Sequence, residues 1–116
     1  MKDNNKLIAK FMGYQPYEHT DSIAIRINKD NEFNSLDFGH IHTKFHNDWN
    51  WLMPVVEKIE TLGFTIEKNF QPIDKDWQCL VVKGNDILLQ EFNEDSIKAM
   101  YYLVSSFIKM YNYKNK

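Results

Sequence analysis

The sequence contains a single cysteine, Cys79, so no disulfide can form within the chain. No apolar run follows Met1 and Lys2, and nothing therefore indicates a secretory leader or an oxidising compartment. The longest apolar runs are only a few residues, far below the ~20 that a membrane-spanning helix requires. These absences predict a protein of the cytoplasm with no membrane partner.

Arginine and glycine are also scarce. Arg26 is the single arginine and the formal net charge is -2, which disfavours nucleic acid as a partner because bidentate phosphate and guanine contacts favour the guanidinium group. With four glycines there is no glycine-rich nucleotide loop, and neither G-x-S-x-G nor HEXXH occurs. The sequence thus disfavours, without excluding, an enzyme.

The residues that are abundant indicate a folded globule. Of the 116 residues, 43% are apolar and 15% aromatic, and they alternate with charged residues along the chain. This length suits a single domain covering residues 1–116.

Apolar periodicity and terminal signals predict three helices, over Asn4–Met12, Asn47–Leu62 and Ile97–Tyr111. Alternation predicts strands over residues 22–27 and 64–70, and residues 36–45 are predicted to be extended. Residues 77–83 and 86–92 are predicted to be two further strands because they flank a Gly-Asn dipeptide suited to a tight hairpin. We therefore predict an α+β fold with a mostly antiparallel sheet of about four to five strands, packed with three helices in two layers.

Three histidines precede the second helix. His40 and His42 would point to one face of a strand, and His46 is near enough in sequence to complete a site for zinc or manganese, with Asp37 or Asp48 as a further ligand. The metal would polarise a water in a small metal-dependent hydrolase. In the competing interpretation, the imidazoles are exposed or bond to the backbone where the strand meets the helix.

Two tryptophans at the start of the second helix form the other candidate site. Trp49 and Trp51 are separated by about 200° of helical rotation, so one straight helix cannot turn both towards the core. An exposed indole beside His46 and Asp48 would suit a stacking pocket for a planar ligand or an anchor at a protein interface. An irregular first turn would instead allow both rings to pack beneath the sheet.

The segment WNWLMPVVEKIE, residues 49–60, resembles a W-[DN]-W-L-M-P-V-V-E-K-I-E signature in a family of small hypothetical proteins of Bacteroidetes and their bacteriophages. The opening NKLIAKFMG, the Phe45-His46 pair and the closing FIKMYN are similar to that family too, whereas His40 and His42 are not part of it. The resemblance implies a phage or mobile-element setting and assigns no reaction.

These observations predict a small non-enzymatic binding module that engages a host protein or sequesters a small signalling ligand. His46, Asp48, Trp49 and Trp51 are the predicted contact residues. A hydrolase with a metal at His40, His42 and His46 is the alternative. A homo-oligomer that uses the long C-terminal helix is a further prediction.

Overall fold

The structure is a computed structural model that describes residues 2–18, 23–26 and 40–115. Its elements in chain order are α1 (Lys2–Phe11), β1 (Pro16–Glu18), β2 (Ile23–Arg26), β3 (His40–His42), α2 (Trp49–Thr61), β4 (Thr65–Gln71), β5 (Asp76–Lys83), β6 (Asp86–Asn93) and α3 (Ser96–Lys114). The predicted α+β class with three helices is confirmed. Residues 36–39 of the predicted extended segment 36–45 lie outside the described residues, and the described remainder contains β3.

The described strands form two antiparallel sheets, whereas the sequence predicts one. The first has the order β1-β2-β3 and the second β4-β5-β6. The strands of the first sheet that flank β2 have three residues each, too short to show a period of two, and β1 begins with a proline. The sequence therefore predicts the three strands of the second sheet, together with β2 and the extended segment that contains β3, but it does not predict β1 or the division into two sheets.

The second sheet presents one face to the helices. Its register places Ile66 opposite Val81 and Val81 opposite Leu89, and these three side chains pack in or against the core. Helix α3 lies on β5 and β6, whereas α2 packs on β4 and on α3. The two helices thus share this face, and α2 covers its β4 side.

Helix α2 begins one residue after its cap, Asp48, whose Oδ1 accepts from the amide of Asn50 at 2.9 Å. With the observed start, Pro54 lies in the second turn and leaves the carbonyl of Asn50 without its helical donor. The helix nevertheless continues to Thr61, and Gly63 follows with a φ of 100°.

Aromatic rings join α1, α3 and the start of β4. Phe107 is fully buried and makes edge contacts with Phe11 and Phe64, with ring centroids 6.5 and 4.9 Å apart. The ammonium of Lys58 donates to the carbonyl of Phe11, the last residue of α1, and lies 4.5 Å from the centre of its ring.

None of the described helices combines the length and apolar character that crossing a membrane requires.

Candidate functional site

A groove lies between α2 and β4. Trp49, Met53, Val56 and Glu60 recur along α2 at helical spacing and therefore share one face of it. Alternate residues of β4 and one residue of α3 complete a space of about 420 Å³. Its lining residues are Trp49, Met53, Val56, Glu60, Ile66, Lys68 and Met100.

The groove is mainly apolar and its rim is accessible. Met100 and Val56 are almost fully buried, whereas Met53 has 41% of its surface exposed. Methionine side chains are flexible and polarisable and adapt to differently shaped apolar groups. Such a surface can receive an apolar side chain without a rigidly matched shape.

Lys68 brings a positive charge to the wall of the groove. Its ammonium nitrogen lies 5.0 Å from the ring centre of Trp49 and 4.9 Å from that of Trp77. Cation–π contacts at exposed sites contribute about 0.5–1 kcal/mol each. The two indoles restrict the position of the ammonium, while the side chain remains exposed enough to meet an anionic group.

His46 lies in a different environment. Its Nδ1 accepts from the side-chain amide of Asn5 at 3.2 Å, and the hydroxyl of Tyr101 donates to Asn5 Oδ1 at 3.0 Å. Burial, helped by the charge of the N-terminus, lowers the pKa of His46 below 6.5. The imidazole is therefore neutral at pH 7, with its proton on Nε2.

Burial is the main cause of the neutral state of His46. The dipole of α2 is not needed to explain it, because α2 begins only at Trp49. Burial, together with neighbouring Tyr102, also raises the pKa of Tyr101. The Asn5 amide thus joins two side chains that stay uncharged at neutral pH.

The two tryptophans lie on different sides of α2. Trp51 packs edge-on against the buried ring of Phe45, with centroids 5.2 Å apart and an interplanar angle of 88°. Trp49 instead borders the groove. Both indoles are half-buried, so neither of the two arrangements predicted from the sequence describes them fully.

The structure therefore gives the four predicted contact residues separate roles. Trp49 lines the groove, Asp48 caps α2, His46 bonds to Asn5 and Trp51 packs on Phe45. The groove brings Trp49 together with residues that sequence reasoning missed. Helical spacing could have suggested Met53 and Val56, but no local pattern joins them to Lys68 or Met100.

The three-histidine metal site stays a prediction. His40 and His42 occupy alternate positions of β3, as expected, and His42 is exposed, while the side chain of His40 is outside the described part. His46 uses Nδ1 to accept from Asn5 and carries its proton on Nε2, so binding a metal would require the loss of that hydrogen bond or of that proton. Across the described ranges, no three His, Cys, Asp or Glu side chains are grouped closely enough to hold an ion.

Cys79 is a core residue. It is fully buried in β5, and burial raises the pKa of its thiol to about 11, although nearby Lys68 partly opposes the shift. A thiol with that pKa is protonated at neutral pH and is a poor nucleophile. Cys79 therefore contributes packing to the face beneath the helices.

Comparison of the chain with protein-family models, curated proteins and solved structures finds no match. Inference about function therefore depends on the groove and its neighbouring side chains.

Proposed function

We propose that this protein is a small non-enzymatic binding module that engages a host protein through the groove between α2 and β4. The observation that carries the proposal is an apolar groove with an exposed methionine, Met53, at its rim and a positioned ammonium, Lys68, in its wall. Interfaces concentrate binding energy in a few apolar or aromatic anchors surrounded by polar contacts. An apolar side chain of the partner would occupy the groove.

The accessibility of the groove favours a protein over a small molecule. Binding pockets for small molecules usually enclose most of the ligand surface. Here Met53 and Lys68 are both exposed, so a small ligand would leave a larger part of its surface in water. A side chain presented by a protein would be covered on that side by the partner itself.

The side chains around the groove suit binding better than catalysis. The lining is indole, methionine and aliphatic, with Glu60 and Lys68 as its charged members. The imidazole of His46 lies outside the groove and is bonded to Asn5, and the thiol of Cys79 is protonated and buried. These groups do not form a nucleophile and base in contact with one another.

A second candidate is the sequestration of a small, planar, anionic signalling molecule. The groove volume of about 420 Å³ falls within the range of small-molecule sites, which spans about 300–1,000 Å³. Lys68 would pair with the negative charge of such a ligand beside the indole of Trp49.

The cytoplasm of a phage-infected or element-carrying Bacteroidetes cell is the setting we propose. It rests on the resemblance of residues 49–60 to the signature described above. Much of that signature is explained by packing, because Leu52, Val55, Val56 and Ile59 are buried. Trp49, Met53 and Glu60 are its groove-lining members that remain at least partly exposed.

Retention of host proteins by matched variants tests the proposal. Wild-type protein, Met53→Asp and Glu57→Ala are immobilised and exposed to a Bacteroidetes cell lysate. Both substitutions lie at exposed positions of α2, but only Met53 lines the groove. We expect the wild type and Glu57→Ala to retain the same protein and Met53→Asp to retain at least about tenfold less, as for an interface anchor worth more than ~1 kcal/mol.

Equal retention by all three forms, or none by the wild type, would contradict the host-protein proposal. Native mass spectrometry of the wild type from infected cells distinguishes the second candidate. A small added mass that Met53→Asp lacks would support sequestration instead.

A further inference from the structure

The groove borders an edge strand. In the part of the chain that the structure describes, β4 pairs with β5 over all seven of its residues and with no other strand. In antiparallel pairing, alternate residues direct their N–H and C=O groups away from the neighbour. The second edge of β4 therefore offers backbone donors and acceptors to an added strand.

The side chains of β4 connect this edge with the groove. Ile66 and Lys68 are alternate residues, so they point to the same face, where both line the groove. A strand that added beside β4 would direct alternate side chains to that face as well. Two of its residues, about 7 Å apart, would then lie next to Ile66 and Lys68.

We propose, building on the proposed function, that the partner binds as an extended segment that adds to the free edge of β4. The segment places an apolar side chain beside Ile66 and an acidic side chain, two residues away, beside Lys68. The apolar side chain enters the groove between Met53 and Met100. The backbone supplies affinity and the two side chains supply specificity, as in other strand-addition complexes.

Charge determines which partner fits. The ammonium of Lys68 is held between the rings of Trp49 and Trp77, so an acidic side chain meets a cation whose position is already restricted. A basic or apolar side chain at the same place would be repelled or would desolvate the ammonium without compensation. The surface therefore favours an acidic residue at this position.

The same lysine disfavours a second copy of this chain as the occupant. Lys68 is the central residue of β4, which covers Thr65–Gln71. Two copies of β4 in full antiparallel overlap would therefore place Lys68 directly opposite Lys68. Like charges in directly opposed positions destabilise a strand pair.

Selection from a peptide library tests the proposal. Random nine-residue peptides are selected on the wild-type protein after depletion on Met53→Asp. We expect the enriched peptides to carry an acidic and an apolar residue two positions apart. An enriched set without this spacing, or no enrichment, would overturn strand addition, whereas the lysate experiment tests groove binding by the host protein independently.

Three forms of the best peptide then separate backbone from side-chain recognition. N-methylation of alternate residues on the edge that meets β4 is expected to weaken binding at least about tenfold, and methylation on the opposite edge is expected to leave it unchanged. Equal binding of both methylated forms would overturn strand addition while leaving a groove-binding module in place.

Charge exchange tests the role of Lys68. Lysine in place of the acidic residue of the peptide should weaken binding to the wild type, and Lys68→Glu should restore binding of that peptide. Lys98→Glu changes the same charge at an exposed position of α3 outside the groove lining and should not restore it. Absence of this exchange would overturn the acidic specificity.

Discussion

Trp49 and Trp51 stand two residues apart at the start of α2 and belong to different regions of the molecule. On the closed side, Trp51 packs on Phe45, and His46 joins a buried hydrogen-bonded chain with Asn5 and Tyr101. On the open side, Trp49 borders the groove, and its ring makes a cation–π contact with the ammonium of Lys68. Two residues that are close in sequence therefore have different roles: Trp51 stabilises the fold on the closed side, and Trp49, as we propose, contributes to recognition on the open side.

The comparison teaches that an unusual cluster of histidine and tryptophan need not form one site. On the closed side, the polar atoms of Asn5 are bonded to side chains within the fold. On the open side, Met53 and Lys68 remain accessible. Substitutions should therefore reduce stability on the closed side and binding on the open side.

The largest expected effect is on the closed side. Phe45→Ala removes a ring that is 99% buried against Trp51 and should lower the free energy of unfolding by about 3–5 kcal/mol, the usual cost of deleting a core aromatic ring. Trp49→Ala removes a half-buried ring and should cost clearly less. Urea unfolding of the two variants measures both costs, and equal losses would remove the proposed distinction between the sides.

Tyr101→Phe should have the next largest effect. It leaves Asn5 Oδ1 without the donor that lies 3.0 Å away, in a position where water has little access. An unsatisfied buried acceptor costs about 1–3 kcal/mol. The neighbouring Tyr102→Phe, at a position with 37% exposure, is the control and should change stability by less than about 0.5 kcal/mol. Equal effects of the two changes would show that the Asn5 bond contributes little.

Lys68→Met should reduce stability by about 1–2 kcal/mol, because it removes two ring contacts at an exposed position that contribute about 0.5–1 kcal/mol each. The same substitution should reduce partner retention much more strongly than it reduces stability. Lys68→Arg keeps the charge and is the control. Thermal unfolding measures the loss of stability, and the retention assay measures the loss of binding. A loss of stability larger than that of Tyr101→Phe would show that Lys68 mainly stabilises the fold, as the residues of the closed side do.

The smallest expected effect is a dependence on pH from His46. Because its folded pKa is lowered, the unfolded chain binds more protons than the folded chain once the pH falls towards 6.5 and below. The contribution of neutral His46 is therefore fully present above that range and is lost as the pH falls towards the lowered value. His46→Gln should make the free energy of unfolding less dependent on pH between about pH 5 and 7. If the free energy of unfolding of this variant depends on pH as that of the wild type does, His46 does not contribute in this way.

Local patterns in the sequence predict much of the fold. The apolar periodicity of α2 and α3 and the alternation of β4 are strong, and Gly84, in the predicted hairpin turn between β5 and β6, has a positive φ of 64°. Asp95, within the stretch expected to start the last helix, is its cap. These features depend on residues close together in sequence, which is why a single chain reveals them.

The candidate site depends on contacts that are distant in sequence. Asn5 meets His46 across 41 positions and Tyr101 across 96, so no spacing rule indicates that His46 is engaged. The groove likewise combines side chains of α2, β4 and α3. The prediction that Trp49 is a contact residue follows from helical geometry, but the identity of its neighbours required the tertiary structure.

The most direct test is an NMR spectrum of the protein with labelled methionine methyl groups, recorded with and without the captured host protein or the selected peptide. Met53 and Met100 line the groove, whereas Met12 and Met110 pack elsewhere against the core and act as internal controls. We predict that the signals of Met53 and Met100 shift while those of Met12 and Met110 stay in place. Shifts confined to Met12 and Met110, or binding that leaves all four signals unchanged, would contradict a groove that serves recognition.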